Sequence, residues 1–246
     1  MIWPFPPSNR HPSQPPPFYT TPEFLITCLS VSTIALSSAH IYRNYIRRIP
    51  TAAHIPHKFL RTRGLLGKVT SVGDGDNFRI FHTPGGRLMG WGWCRKVPTL
   101  RGKLRGETIH IRLAGIDAPE CGHFGNAAQP YSSEALAWLK SYVGDRRVRC
   151  YVHSKDQYDR VVATVYVWRG LSRRDVSLEM LRAGMAVVYE GKTNVEFGGK
   201  KKEEVYRETE RKAMATKMGL WKQPKRLRVS PGQYKAALKE AARAAS

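Results

Sequence analysis

One stretch constrains the rest of this chain more than any other. From Phe24 to Tyr42 it reads FLITCLSVSTIALSSAHIY, an apolar run of the length that about 20 helical residues need to cross a hydrocarbon layer. Thr27, Ser30, Ser32, Thr33, Ser37 and Ser38 dilute it. Hydroxyls can bond back to helix carbonyls, so they weaken a span without forbidding it. A cleaved signal peptide and a buried core helix are the competing readings, the first supported by a cleavage-like Ser37-Ser38-Ala39. Against cleavage, the preceding leader is long and Pro-rich, with Arg10 as its basic residue. Against burial, a basic, Pro-containing stretch isolates the run from the rest of the chain. The expectation is an uncleaved single-pass anchor over residues 24–42.

The flanks agree with that reading. Residues 1–22 hold half of the chain's 16 prolines and no acid, which suits an extended, disordered leader over 1–23. From Phe24 to Gly73 there is no acidic residue, but Arg43, Arg47, Arg48, Lys58, Arg61, Arg63 and Lys68 are present. Residues 43–64 therefore read as a basic linker that favours the positive, cytoplasm-like side and can touch anionic headgroups. An Arg-rich, acid-poor N-terminal region also suits mitochondrial routing. The whole chain sets 41 Lys and Arg against 19 Asp and Glu, a net charge of +22. Such an excess self-repels unless a polyanion is near, so nucleic acid or an anionic membrane is the expected partner. Cys28, Cys94, Cys121 and Cys150 lack the spacing of a zinc knuckle or redox pair and exclude a disulfide-dense scaffold. They suit a reducing compartment.

From about Leu65 the pattern changes to short alternating runs separated by turn residues. Asn77–His82 reads as a strand broken by Thr83-Pro84-Gly85-Gly86. Thr108–Leu113 is another, with Ile109, Ile111 and Leu113 on one face and His110 and Arg112 on the other. Val148–Val152 alternates likewise, and Val161–Trp168 is a β-branched run. Helices are expected at Ser133–Val143, Val176–Ala183 and Glu203–Met218, the last two stopped by Gly184 and Gly219. Residues 65–223 then form one α+β domain, a β-barrel with about three packed helices. Residues 224–246 are a basic, Ala-rich tail whose plainest reading is a solvated helix.

Acids are scarce here, yet they cluster. Asp74-Gly75-Asp76 opens a strand, Asp117-Ala118-Pro119-Glu120 closes the strand carrying Arg112, and Asp156-Gln157-Tyr158-Asp159-Arg160 is a polar turn between strands. Each has an ordinary structural reading by itself: a glycine turn, an Arg112–Glu120 surface pair, an Asp159–Arg160 turn pair. Their joint occurrence, in order, is what carries the argument.

VTSVGDGDNFRI, IRLAGIDAPE, KDQYDRVVATVYV, LEMLRAGMAVVY and KKKEEVYRETERKAMATKMGLW occur together and in the order found in the staphylococcal nuclease, or thermonuclease, family. From about Lys68 to Trp221 the chain resembles that family. With its Pro-rich leader, single apolar run and HTPGGRLMGWGW insertion, it looks like the fungal membrane-anchored mitochondrial members. The resemblance implies an OB-like five-stranded barrel and a calcium-dependent phosphodiesterase site. Asp76, Asp117 and the Ala118 carbonyl would bind Ca2+, with Asp74 just outside and Asn77 supporting the loop. Threonine is common in the family at the positions of Asn77 and Ala118, and a carbonyl ligand does not need the hydroxyl.

Those residue types suit that chemistry. Calcium prefers oxygen donors in a tolerant geometry. Glu120 would orient or deprotonate the attacking water, and Arg112 and Arg160 are planar cations suited to phosphate oxygens. Tyr158, Tyr189 and Trp168 are candidates for stacking on unpaired bases, Tyr189 foremost. His123 and Cys121 have no metal-ligand spacing. The expectation is a monomeric, membrane-tethered, calcium-dependent endonuclease acting on DNA and on RNA. The rivals are a catalytically inactive nucleic-acid-binding module on the same fold and a lipid-binding scaffold. The insertion at 84–105 has no role legible in its residues.

Overall fold

The computed structural model describes residue 19 and residues 21–122, 127–156, 158–190, 196–225 and 228–244. The chain divides into two compact units, Met1–Arg47 and Arg48–Ser246. In the first, helix α1 (Pro22–Ile41) starts where Thr21 Oγ1 accepts a hydrogen bond from the Phe24 amide, with Pro22 in its first turn. Thr27 and Thr33 donate to the carbonyls of Glu23 and Leu29 at 2.7 and 2.8 Å, which satisfies hydroxyls that would otherwise oppose an apolar surrounding. A π-helical turn at Tyr42–Ile46 extends the helix. The stretch Pro22–Ile46 is long and apolar enough to cross a membrane, a test that an N-terminal signal sequence also passes. None of α1 is buried.

The second unit is built on the expected barrel. Its strands are β1 (Gly64–Asp74), β2 (Asn77–His82), β3 (Ile109–Leu113), β5 (Arg147–Lys155) and β6 (Val161–Arg169), antiparallel in the order β3-β2-β1-β5-β6. Parallel pairing of β3 with β6 closes the ring, removing the exposed edges an open sheet would leave. Ile109, Ile111 and Leu113 face inward and are fully buried, while His110 and Arg112 point outward. Strand β7 (Ser172–Asp175) extends from β6, and β4 (Ile116–Asp117) pairs with β8 (Val187–Val188) in a separate two-stranded ladder.

The barrel core extends into the stretch read from sequence as linker. Ile49, Ala52, Ile55 and Phe59 are buried in the same cluster as Leu65, Phe78 and Ile111. Two 3-10 turns, Ala52–His54 and His57–Phe59, bring these side chains inward. Burying Ile49, Ile55 and Phe59 contributes roughly 1.5–3 kcal/mol each, while the intervening His54, His57 and Lys58 stay exposed to water. The Ile49 amide donates to His82 Nδ1 at 2.9 Å, and the Arg61 amide to the Val152 carbonyl at 2.7 Å. The core begins at Ile49 and is complete without the first 47 residues.

The three expected helices are present, with the short α2 (Arg101–Leu104) inside the insertion: α3 (Ser132–Val143), α4 (Val176–Arg182) and α5 (Lys200–Ala215). Asp175 caps α4 through the Leu178 amide and ties it to α5 by accepting from the Tyr206 hydroxyl and from Lys202 Nζ at 2.7 Å. The tail departs from the sequence expectation. Helix α6 (Pro231–Ala244) begins at a reciprocal cap, Ser230 Oγ with the Gln233 amide and Gln233 Oε1 with the Ser230 amide. Its first turn is docked: the Tyr234 hydroxyl donates to the Ala127 carbonyl, and Gln129 Nε2 lies 3.5 Å from the Val229 carbonyl.

Candidate active site

The site grows from the turn between β1 and β2. Gly75 packs so closely that a Cβ there would lie 2.8 Å from the Ala118 methyl, so glycine is what lets the Asp74–Asp76 turn press against the segment carrying Ala118. Asp74 Oδ1 accepts from the Gly75 amide, and Asp76 Oδ1 from Asn77 Nδ2 at 3.1 Å. Asn77 Oδ1 in turn meets His110 Nε2 at 3.1 Å, so Asn77 holds the loop as expected. Asn77 and Arg112 face each other across β2 and β3.

That register sets Arg112 between two carboxylates. Its Nε lies 3.4 Å from Asp76 Oδ2 and its Nη2 3.2 Å from Asp117 Oδ1. The surface pair with Glu120 is not formed. Asp76 and Asp117 are both buried, at 6% and 2% exposure. Burial opposes the Arg112 charge, but Asp76 and Asp117 outweigh it and raise its pKa. Burial and then Asp76 push the Asp117 carboxyl up to about 6, against the pull of Lys235 and Arg112. Ala118 is buried next to Asp117, and the Glu120 amide donates to Gln129 Oε1 at 2.8 Å while its carbonyl accepts from the Gln129 amide. Glu120 is thereby fixed by its backbone, and its side chain meets Lys235.

Lys235 of α6 completes the cluster, and nothing local in the sequence announced it. Its Nζ sits 2.6 Å from Glu120 Oε1 and 2.9 and 3.1 Å from the two oxygens of Asp117. The Ser-Pro-Gly-Gln cap signals where α6 starts, but its docking is a long-range contact over 118 residues.

The remaining candidates divide. The Tyr189 ring lies under Arg112, 5.3 Å from its guanidinium carbon, because the Tyr189 amide bonds the Gly115 carbonyl. Arg160 pairs with Asp156, Nε to Oδ2 at 2.6 Å, and stacks on Tyr158 at 5.2 Å; its local partner is Asp156, not Asp159. Burial alone would raise the Asp156 carboxyl, but bonds from Arg160 and from the Tyr158 amide hold it low. Tyr158 is exposed. Trp168 is exposed near the far end of β6 beside Arg173 and takes no part. Cys121 lies near the Ser132 carbonyl, and its thiol is pushed up to about 12, chiefly by burial. His123 lies outside the described residues.

Residues 110–223 match the family model described as staphylococcal nuclease homologue. The chain is 54% identical over 228 residues to a protein of Aspergillus niger named probable endonuclease lcl3, an alignment spanning 88% of this chain and 83% of that one. Identity is 55% over 219 residues with the protein of that name from Sclerotinia sclerotiorum, covering 88% and 82%. It is 53% over 229 residues with that of Botryotinia fuckeliana, covering 92% and 86%. The chain belongs to the staphylococcal nuclease family. Four of the five motifs read from sequence lie within the matched stretch, and the first, at 69–80, precedes it.

The family is a calcium-using one, and the donor set suits that ion. Asp76 and Asp117 offer carboxylate oxygens and Ala118 a carbonyl beside them, all hard donors. The Lys235 ammonium lies against two of the site's carboxylates, Asp117 and Glu120. Among the described residues no group of three or more His, Cys, Asp and Glu side chains is disposed to hold a metal. A small protein contribution of this kind leaves coordination positions for phosphate and water.

Proposed function

We propose that this staphylococcal nuclease family protein is a calcium-dependent endonuclease that hydrolyses phosphodiester bonds of DNA and RNA, tethered to a membrane by α1. The observation that carries the reading is the convergence of Asp76, Arg112 and Asp117 on one outer face of the barrel, with Glu120 joined to Asp117 through Lys235. Asp76, Asp117 and the Ala118 carbonyl would hold the ion. When bound, calcium supplies a fixed positive charge that polarises the phosphate.

The chain's own residues do the rest. Glu120 takes the proton of a water whose oxygen bonds phosphorus as the bond to the leaving oxygen breaks. General base work of this kind is worth about 10²–10⁴ in rate. Arg112 donates to phosphate oxygens that gain charge in the transition state, a role worth about 10²–10³. Arg160, preset by Asp156, supplies a second guanidinium. Tyr189, under Arg112, borders the path of an unpaired base, and Tyr158 extends that path on the Arg160 side. Phosphate contacts carry no base information, so sequence preference is weak.

Apolar length, the basic flank and the acid-poor N-terminal region support a single-pass mitochondrial protein. The test is cleavage of single- and double-stranded DNA and RNA with calcium, magnesium or chelator. Calcium-dependent internal cutting is expected, whereas tight binding without cutting under every metal would leave a tethered binding module. Resistance of the full chain to alkaline carbonate extraction from mitochondrial membranes tests the anchor.

A further inference from the structure

The insertion at 84–105 is a structured platform built on one tryptophan. Trp91 is buried, edge-on to Phe81 at 5.7 Å, with its Nε1 donating to the Pro84 carbonyl at 3.0 Å and Arg95 stacked on its ring at 3.9 Å. Two residues on, Trp93 points the other way. Its ring is 69% exposed while its Nε1 donates to the Arg87 carbonyl at 3.0 Å. Leu88 is 96% and Leu100 64% exposed. The same stretch carries Arg87, Arg95, Lys96, Arg101, Lys103 and Arg105, all exposed, and residues 83–106 contain no acid.

The position of this surface narrows what it can meet. Strand β2 runs from Asn77, beside Asp76, to His82, where the insertion begins. Its six residues separate the insertion from the phosphodiesterase site by about 17 Å, one strand length. The chain enters the barrel at this same remote end: the Ile49 amide bonds His82, and Arg48 pairs with Glu107, where the insertion ends. A nucleic acid lying across Arg112 and Tyr189 is at the opposite end. Exposed leucines offer a base no stacking face. A second copy would meet like charge with like charge. Solvent-facing leucine and tryptophan in an acid-free stretch rich in exposed cations fit a headgroup layer, where apolar groups enter the acyl boundary and basic groups meet lipid phosphates.

We infer that residues 84–105 form a membrane-surface contact for anionic phospholipid, with Leu88, Trp93 and Leu100 entering the interface. The inference rests on the membrane reading of α1, and the two are separable by experiment. Residues 48–246, whose core is complete without α1, are mixed with vesicles of phosphatidylcholine alone or with 30% phosphatidylserine (roughly the anionic content at which surface attraction acts) and floated on a gradient. Flotation with the anionic vesicles only, weakened by salt, is expected. Replacing Leu88, Trp93 and Leu100 together by Ser should weaken it at least tenfold, and Arg101→Glu with Lys103→Glu by a further factor of roughly five per residue. DNA cleavage and the unfolding temperature should stay near wild type in both variants, which shows that they fold.

Absence of flotation with anionic vesicles, or flotation unchanged in both variants, would overturn the inference. So would a variant that keeps its lipid binding but loses affinity for single-stranded DNA, which would make this a nucleic-acid surface. Carbonate extraction of the full chain reports on α1 alone, so failure there leaves the vesicle result to stand by itself.

Discussion

Lys235 Nζ lies 2.6 Å from Glu120 Oε1 and within 3.1 Å of both Asp117 oxygens. A tail residue thus brings a positive charge to the carboxylates proposed to bind metal and to activate water. Burial opposes that charge, but Asp117 and then Glu120 outweigh it and raise the Lys235 pKa.

A cation entering here competes with this ammonium. Lys235→Met removes the competitor and should lower the calcium concentration for half-saturation by about tenfold, some 1.4 kcal/mol. Calorimetric titration of calcium measures it directly. Without calcium the same variant should unfold at a lower temperature, since Asp117 loses a buried partner. Unchanged affinity would mean that the ammonium and the ion do not share the site.

Arg112→Ala should do two things at once. Cleavage should fall about 10²–10³-fold, and stability by roughly 3 kcal/mol, because buried Asp76 loses its cation and Asp117 keeps only Lys235. Arg112→Lys should restore part of the stability and little of the rate, since an ammonium lacks the planar guanidinium fork that matches paired phosphate oxygens. Denaturant unfolding and steady-state kinetics separate the two effects.

Asp156 holds Arg160 by its backbone amide and its guanidinium, which under the proposed function makes it a positioning residue. Asp156→Ala frees the guanidinium and should lower kcat about tenfold, while Arg160→Ala should lower it further. If Asp156→Ala combined with Arg160→Ala is no slower than Arg160→Ala alone, Asp156 acts through Arg160.

His82 couples stability to pH. Burial, then Arg48, depresses its pKa to about 4, and its Nδ1 must be unprotonated to accept from the Ile49 amide. The unfolded chain binds this proton near pH 6.5 and the folded chain only near 4. The stability this group confers is therefore complete above 6.5 and is lost as pH falls toward 4, a change of about 3 kcal/mol. His82→Gln should flatten that part of the stability profile; an unaltered slope between pH 6.5 and 4 would contradict it.

Much of the barrel was legible because alternation is a local signal. Ile109, Ile111 and Leu113 announce their inward face by spacing alone, and Asn77–His82 is found with the predicted bounds. Asp76, Arg112 and Asp117 are brought together as their motifs suggested, since the β2–β3 register is set by a short strand pair. Ile49 to Phe59 were misjudged because their apolar residues are sparse among basic ones, and only packing against a finished barrel repays their burial. Lys235 and Gln129 were unreadable for a related reason: their contacts depend on where α6 docks, which no local pattern encodes. Arg160 carries its motif correctly, but its tie to Asp156 is a side-chain choice within one turn.

The central claim is tested most directly by single-turnover cleavage of DNA by the full chain and by Glu120→Gln, with calcium and DNA both saturating. The account predicts cutting by wild type that stops on chelation, and a variant that binds calcium and DNA as wild type does but cuts about 10²–10⁴ times more slowly. A variant that binds normally and cuts at the wild-type rate would contradict it.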